Sequence, residues 1–240
     1  MVFANVDLHS DKLDESQPIR VVNRWGNIEV RSAERPGSYR VRAAVQRIGA
    51  EPPAPPVFRQ RVVDGVAELV VEFADARLTP SRTGRVDLAL YVPAGHPLAL
   101  EARDGLVKAR KTANPLRVRT TTGSVQVVND GPIEVRSESG RVQVRPMYAR
   151  WGRLDARSDQ GIVVAFLPTL AAFELQVEGT DAVYSAYPLV EHAGRLVATH
   201  QRPDRPVNRV HLASGQGVEV HEAHLAEAVA MPAADAEMNP

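Results

Sequence analysis

The feature that most constrains this chain is a spaced glycine. Gly105, Gly123, Gly140 and Gly161 recur at intervals of about 20 residues, a spacing in the range of stacked structural units. Each glycine sits between two short alternating runs: "LALEARDGLVKAR", "LRVRTTTGSVQVV", "PIEVRSESGRVQVR" and "GRLDARSDQGIVVAF". The period inside each run is two. Leu116, Val118 and Thr120 alternate with Arg117, Arg119 and Thr121, and Val142 and Val144 alternate with Arg141, Gln143 and Arg145. A period of two means strands with one dry and one wet face. A run of about five residues cannot bury its dry face alone, so such units must stack in series. The pentapeptide Ile-Glu-Val-Arg-Ser occurs twice, at 28–32 behind "WGN" and at 133–137 behind "DGP". It reads as the same face written twice, with Ile and Val inward and Glu and Arg outward. The turn glycines are expected to supply the positive φ of a tight reversal.

The rest of the chain fits around this series. Residues 1–17 are polar and acidic, and are expected to form a flexible lead or an edge segment. From Pro18 alternation begins, and "VFRQRVV-DG-VAELVVEF" is a hairpin signal with Asp64-Gly65 at the turn. "GRVDLALYVPAG" is a further strand, ended by Pro93-Ala94-Gly95. Near the C-terminus "HEAHLAEAVAM", with Leu225, Ala228 and Val229 near one face, predicts a short helix that would cap the stack. The expected architecture is all-β: a right-handed, β-helix-like β-solenoid with irregular N-terminal β coils and a short C-terminal helix. It is expected as one domain over 18–222, irregular over 18–95 and regular over 96–222, with 1–17 and 223–240 as flexible or capping termini.

Charge and composition narrow the function. With 29 basic and 29 acidic residues the net charge is zero, which argues against a dedicated nucleic-acid binder. The chain has no Cys, so thiolate nucleophiles and Cys-ligated zinc are ruled out. No basic and apolar leader is visible and no apolar run is long enough to cross a bilayer. The sequence as it stands is therefore expected to be cytoplasmic, or of the cell envelope if its N-terminus has been truncated.

The "GRVDLALYVPAG" strand leading into successive Gly-x-Val-x-Val-like turns, "DGLVKA", "TGSVQV", "SGRVQV" and "QGIVVA", resembles a bacterial family known as putative adhesins. The chain differs from that family in having Leu106, Ser124, Arg141 and Ile162, rather than Asp, after the turn glycines. The resemblance covers roughly residues 86–166. It implies a β-solenoid of structural or binding character, with no catalytic residues and no cofactor to carry over.

Candidate sites read from the residues are few. His221 and His224 in "HEAH", with His211 upstream, are three apart rather than in the H-E-x-x-H spacing, and read as a helix start rather than a metal site. Glu134 and Asp155 could face each other on neighbouring units as the acid pair of a polysaccharide-acting enzyme. Each has an arginine two residues on, Arg136 and Arg157, which favours simple charge pairing. The most distinctive local feature is basic: Arg103, Lys108, Arg110, Lys111, Arg117 and Arg119 fall in one short stretch. Stacked, they would offer a positive stripe to an anionic polymer; the plainer reading is a solvated outer face. The expected function is a non-enzymatic structural or adhesin-like binding scaffold, engaging a protein partner or self-associating through its coil ends. The alternatives are a polysaccharide-acting enzyme or an anion-binding surface over 103–119.

Overall fold

The computed structural model describes residues 2–10, 13–14, 16–33, 39–47, 54–73, 84–179 and 182–224. Among these the chain forms strands and no helix. The first seven strands are β1 (Val2–Ser10), β2 (Ile19–Asn23), β3 (Ile28–Ser32), β4 (Tyr39–Arg47), β5 (Val57–Val63), β6 (Val66–Glu72) and β7 (Gly84–Val92). Four strand–turn–strand rungs follow: β8 (Leu98–Ala102) with β9 (Val107–Thr112), β10 (Leu116–Thr120) with β11 (Val125–Asn129), β12 (Ile133–Ser137) with β13 (Val142–Pro146), and β14 (Arg153–Ser158) with β15 (Ile162–Pro168). The last six are β16 (Ala172–Glu178), β17 (Val183–Ser185), β18 (Val190–His192), β19 (Arg195–His200), β20 (Val207–Ser214) and β21 (Gly217–Ala223).

These strands make two large sheets. One has ten strands in the order β1-β4-β7-β3-β9-β11-β13-β15-β21-β17, the other eleven in the order β18-β19-β16-β20-β14-β12-β10-β8-β2-β6-β5. Each rung gives its first strand to the eleven-stranded sheet and its second to the ten-stranded sheet. Successive rungs pair parallel and in register: Val118 lies opposite Val135, Ile133 opposite Leu154, and Val127 opposite Val144. Antiparallel strands appear only toward the edges, where β4 joins β1 to β7, β5 joins β6, and β19 joins β18 to β16. The β5–β6 hairpin turns at Asp64-Gly65, as the sequence predicts, and both residues have positive φ (50° and 77°).

The core lies between the sheets and runs without a break from Ile19 to Val220. Val118, Val135 and Val144 are 0% exposed and Val127 is 1% exposed. Burying such a side chain contributes about 1.5–3 kcal/mol, against about 0–1 kcal/mol for an exposed ion pair. The inward row therefore dictates the register, and the outward row follows.

The turn glycines serve a purpose other than the expected one. Gly26, Gly105, Gly123, Gly140 and Gly161 are not among the positive-φ residues. They form a column in which a Cβ on each would sit well inside 3.0 Å of backbone, and from Gly105 to Gly161 the atom struck is the carbonyl oxygen of the preceding glycine. Close stacking of turns, rather than left-handed backbone, excludes every side chain here. Beside the glycines runs a buried hydroxyl ladder. Thr120 donates to the Gly123 carbonyl (2.9 Å) and lies 3.0 Å from the Ser137 hydroxyl, which accepts from the Gly140 N–H (2.8 Å). Ser158 donates to the Gly140 carbonyl (2.8 Å) and accepts from Gly161 N–H, and Ser214 donates to the Gly161 carbonyl (2.7 Å). These hydroxyls satisfy turn backbone that burial would otherwise orphan.

The structure corrects the sequence reading at two further points. The stretch expected to open a C-terminal helix, from His221, instead continues β21 through Ala223, because His221 and Glu222 pair with Phe166 and Leu167 of β15. The remainder of that stretch, from residue 225, lies outside the described residues. The two Ile-Glu-Val-Arg-Ser segments bury Ile and Val as expected, but β3 belongs to the ten-stranded sheet and β12 to the eleven-stranded one.

Candidate functional site

In-register stacking arranges the outward side chains in rows that cross the strands. On the eleven-stranded sheet these rows are ion-paired. Arg20 bonds Glu68 (2.5 Å) and Glu101 (2.9 Å), Arg117 bonds Glu134 (2.9 Å), and Arg136 lies 3.5 Å from the same carboxylate. Arg153 bonds Asp155 (3.0 Å), Arg157 bonds Asp159 (2.7 Å), and Arg195 bonds Glu178 (2.8 Å). Glu134 and Asp155 are direct neighbours in register, as the sequence suggests, and each is held by arginine. Arg119, Arg136 and Arg157 also form a direct like-charge row, whose repulsion the flanking carboxylates of Glu134 and Asp159 offset.

The six basic residues singled out in the sequence do not share a surface. Lys108, Arg110 and Lys111 belong to β9 on the ten-stranded sheet; Arg117 and Arg119 belong to β10 on the other. Arg103 sits in the turn between the sheets, 3.7 Å from Asp104. Lys111 has φ 50°, where the register slips between Val128 and Asn129 opposite. The chain reverses from one sheet to the other between residues 112 and 116, so proximity in sequence becomes separation in space.

The ten-stranded sheet gathers a different set. One outward row runs Glu29, Lys108, Gln126, Gln143, Val164, Glu219 and Tyr184 across seven strands. The row beside it contains Arg31, Arg110, Val128 and Arg145. Phe166 and His221, paired with each other, follow on β15 and β21. Val128 is the short member between two arginines, and a shallow hollow of about 90 Å³ opens there, with Lys108, Gln126 and Gln143 on one side and Phe166 at its end. Glu29 lies 2.9 Å from Arg31 and 3.5 Å from Arg110. Lys108 and Arg145 have no ion-pair partner among the described residues. The far end of the face is aromatic: Phe166 stacks on His221 with centroids 5.1 Å apart, and Tyr184 lies 5.2 Å from the same imidazole. Sequence reasoning missed Arg145 because its partners lie on other rungs; the signal was available in the aligned "VQVV" and "VQVR" that open β11 and β13.

A second concavity, of about 790 Å³, lies on the eleven-stranded sheet over β14, β20, β16 and β19. His211 stands there between Asp155 (Nδ1 to Oδ1, 3.4 Å) and Glu178 (Nε2 to Oε2, 3.3 Å). Burial works against the charged form of Glu178, but the close approach of the His211 imidazole, the hydrogen bond from Gln176 and the Arg195 charge outweigh it, leaving its pKa below the ordinary value. Held ionised in this way, Glu178 is matched to pairing rather than to donating a proton.

No protein-family model and no curated protein matches the chain. Its fold is similar to that of a "putative cell adhesion protein" from Clostridium sporogenes ATCC 15579, at 10% identity and a TM-score of 0.56, over 92% of this chain and 100% of that one. A "putative adhesin" from Bacteroides fragilis NCTC 9343 aligns over 90% of this chain and 97% of its own at 8% identity, with a TM-score of 0.34, too low to argue from. The likeness to adhesins that the sequence suggested is thus met at the level of the fold. Among the described residues, no helix is long and apolar enough to cross a membrane.

Proposed function

We propose that the chain is a non-enzymatic, adhesin-like binding scaffold whose rungs wind as a right-handed β-solenoid, and that it binds through the outer face of the ten-stranded sheet. The observation that carries this reading is the contrast between faces. Both faces carry outward ion pairs, and each has cations with none among the described residues, but Arg119 and Arg209 of the eleven-stranded sheet lie over separate concavities, whereas Lys108 and Arg145 of the ten-stranded sheet converge on one hollow. The likeness in fold to a cell adhesion protein supports the same reading. At the end of the stack edged by β17 and β18, strands of only three residues resist strand addition. Beads coated with the chain are expected to be retained on bacterial cell-surface preparations without releasing soluble sugar. Failure of retention would remove the adhesin reading. Release of soluble oligosaccharide, lost in His211→Ala, would replace it with an enzyme working in the concavity around His211.

A further inference from the structure

Resting on the reading of the ten-stranded face as the binding surface, we propose that its ligand is an acidic polysaccharide. The chain would lie across the strands, with an anionic group in the hollow over Val128.

Three observations lead there. The first is charge placed without a partner. Lys108 and Arg145 flank the hollow and have no ion-pair partner among the described residues, and Arg110, shared with Glu29 at 3.5 Å, adds to the positive potential. The second is spacing. Arg110, Val128 and Arg145 occupy successive strands in register. The backbone positions of the two arginines therefore stand about two strand spacings apart, ~9.5 Å, close to the length of a disaccharide. A linear glycan with an acid on every residue or on alternate residues places an anion at this interval. The third is the chemistry between and beyond the cations. Gln126 and Gln143 are adjacent in the neighbouring row, and an amide can both donate to and accept from a sugar hydroxyl. Beyond Arg145 lie Phe166, His221 and Tyr184, the last 58% exposed. With Phe166 and His221 stacked on each other, the exposed Tyr184 is the aromatic side chain left to pack against the apolar side of a pyranose.

A nucleic acid fits less well. Single strands are held by aromatic platforms that take successive bases, and here Phe166 and His221 stack on each other instead. An anionic membrane would call for a broad basic surface with exposed apolar side chains, whereas here Val128 and Phe166 are half-buried and the row beside the arginines carries Gln126 and Gln143.

The test uses the full chain and immobilised polygalacturonate, dextran sulfate and uncharged dextran. Retention is expected on the two acidic polymers at low salt and not on dextran. Preference for polygalacturonate would identify uronate as the anion, and preference for dextran sulfate would identify a sulfate ester. Affinity should fall with salt, and the log–log slope should shrink by about two in Lys108→Glu/Arg145→Glu, roughly one released counterion per lost contact. That double variant is expected to weaken binding at least tenfold. Val128→Glu, which brings a carboxylate into the hollow between the two arginines, should do the same. Arg117→Ala, on the opposite sheet, should bind as the unaltered chain does. Equal retention on dextran, unchanged binding by both face variants, or binding to single-stranded DNA or phosphatidylserine vesicles in place of the acidic polysaccharides would overturn the proposal. Retention on cell surfaces that ignores the two face variants would overturn this ligand while leaving the adhesin reading in place.

Discussion

The two strands of a single rung are nearly interchangeable from inside and unlike from outside. In the rung β12–β13, Ile133 and Val135 face Val142 and Val144 across one core, and all four are buried. Outside, Glu134 and Arg136 of β12 are drawn into ion pairs with each other and with Arg117 of the preceding rung. Gln143 and Arg145 of β13 instead line the hollow on the opposite sheet. The inner surface answers to packing, which tolerates only apolar side chains of matched size. The outer surface answers to solvent, which tolerates nearly any polar choice. A difference between two outer faces built on one inner plan is therefore where function can be written without loss of the fold.

The contrast can be broken most severely at the turns, where both sheets depend on one column. Gly140→Ala would drive a Cβ into the Gly123 carbonyl, and a loss of roughly 3 kcal/mol is expected, the upper end for overpacking. Urea denaturation measures it, and Gly194→Ala is a useful partner. Gly194 has φ 75° and open space around it, so only left-handed strain of about 1–2 kcal/mol should appear. A loss below about 1 kcal/mol at Gly140 would mean that the turns do not stack as described.

Next in size is Ser137→Ala, which leaves the Gly140 N–H without its partner in a buried site, while Thr120 keeps the Gly123 carbonyl. A loss of roughly 1–3 kcal/mol is expected, from the same denaturation curve. The outward faces should then separate by type of effect. Arg117→Ala removes an exposed pair with Glu134, and should change stability by less than about 1 kcal/mol with no change in retention on acidic polymer. Lys108→Ala should be equally mild in stability and yet weaken retention. If the two variants cannot be told apart in retention, the distinction between the faces fails.

The smallest expected effect is on pH dependence. Hydrogen bonds from Arg61 and Arg20, with their charges, outweigh burial and hold the Glu68 carboxyl below its ordinary value. A carboxyl depressed in the folded state stabilises the fold above its unfolded pKa, and that contribution is lost as pH falls through the lower folded value. Glu68→Gln should therefore flatten the stability profile below about pH 4.5 and leave its slope unchanged near neutrality. A profile identical to that of the unaltered chain across the acid range would show that the Arg20–Glu68–Arg61 cluster adds nothing.

The alternation of Val118, Val135 and Val144 with arginine and glutamine made the strands and their buried faces legible from residue type alone. Asp64-Gly65 likewise announced its hairpin. The helix expected from "HEAH" does not open at His221 because local periodicity competed with an available partner: β15 extends to Pro168, and its backbone continues β21 through Ala223. The hydroxyls of Thr120, Ser137, Ser158 and Ser214, each three residues before a glycine, were visible as a pattern in the sequence. Their role depends on burial against the neighbouring turn, which no single strand reveals. The basic stretch 103–119 looked continuous, yet a strand crossover lies inside it. Lys108 consequently keeps company with Arg145 rather than with Arg117.

By itself the sequence determined which side chains are dry, since alternation with a period of two admits one assignment of faces once water is excluded from one of them. It also determined where the chain turns. Only the tertiary structure decided which sheet each strand joins, and hence which outward groups become neighbours. Ile-Glu-Val-Arg-Ser demonstrates the limit. In β3 its serine is exposed and donates to the Lys111 carbonyl, and in β12 the same serine is buried beneath Gly140. The physical reason is that the local period decides only which side chains share a face, whereas what covers that face, and which rows form outside it, depends on strands far apart in the chain whose order is set by the stacking of whole rungs.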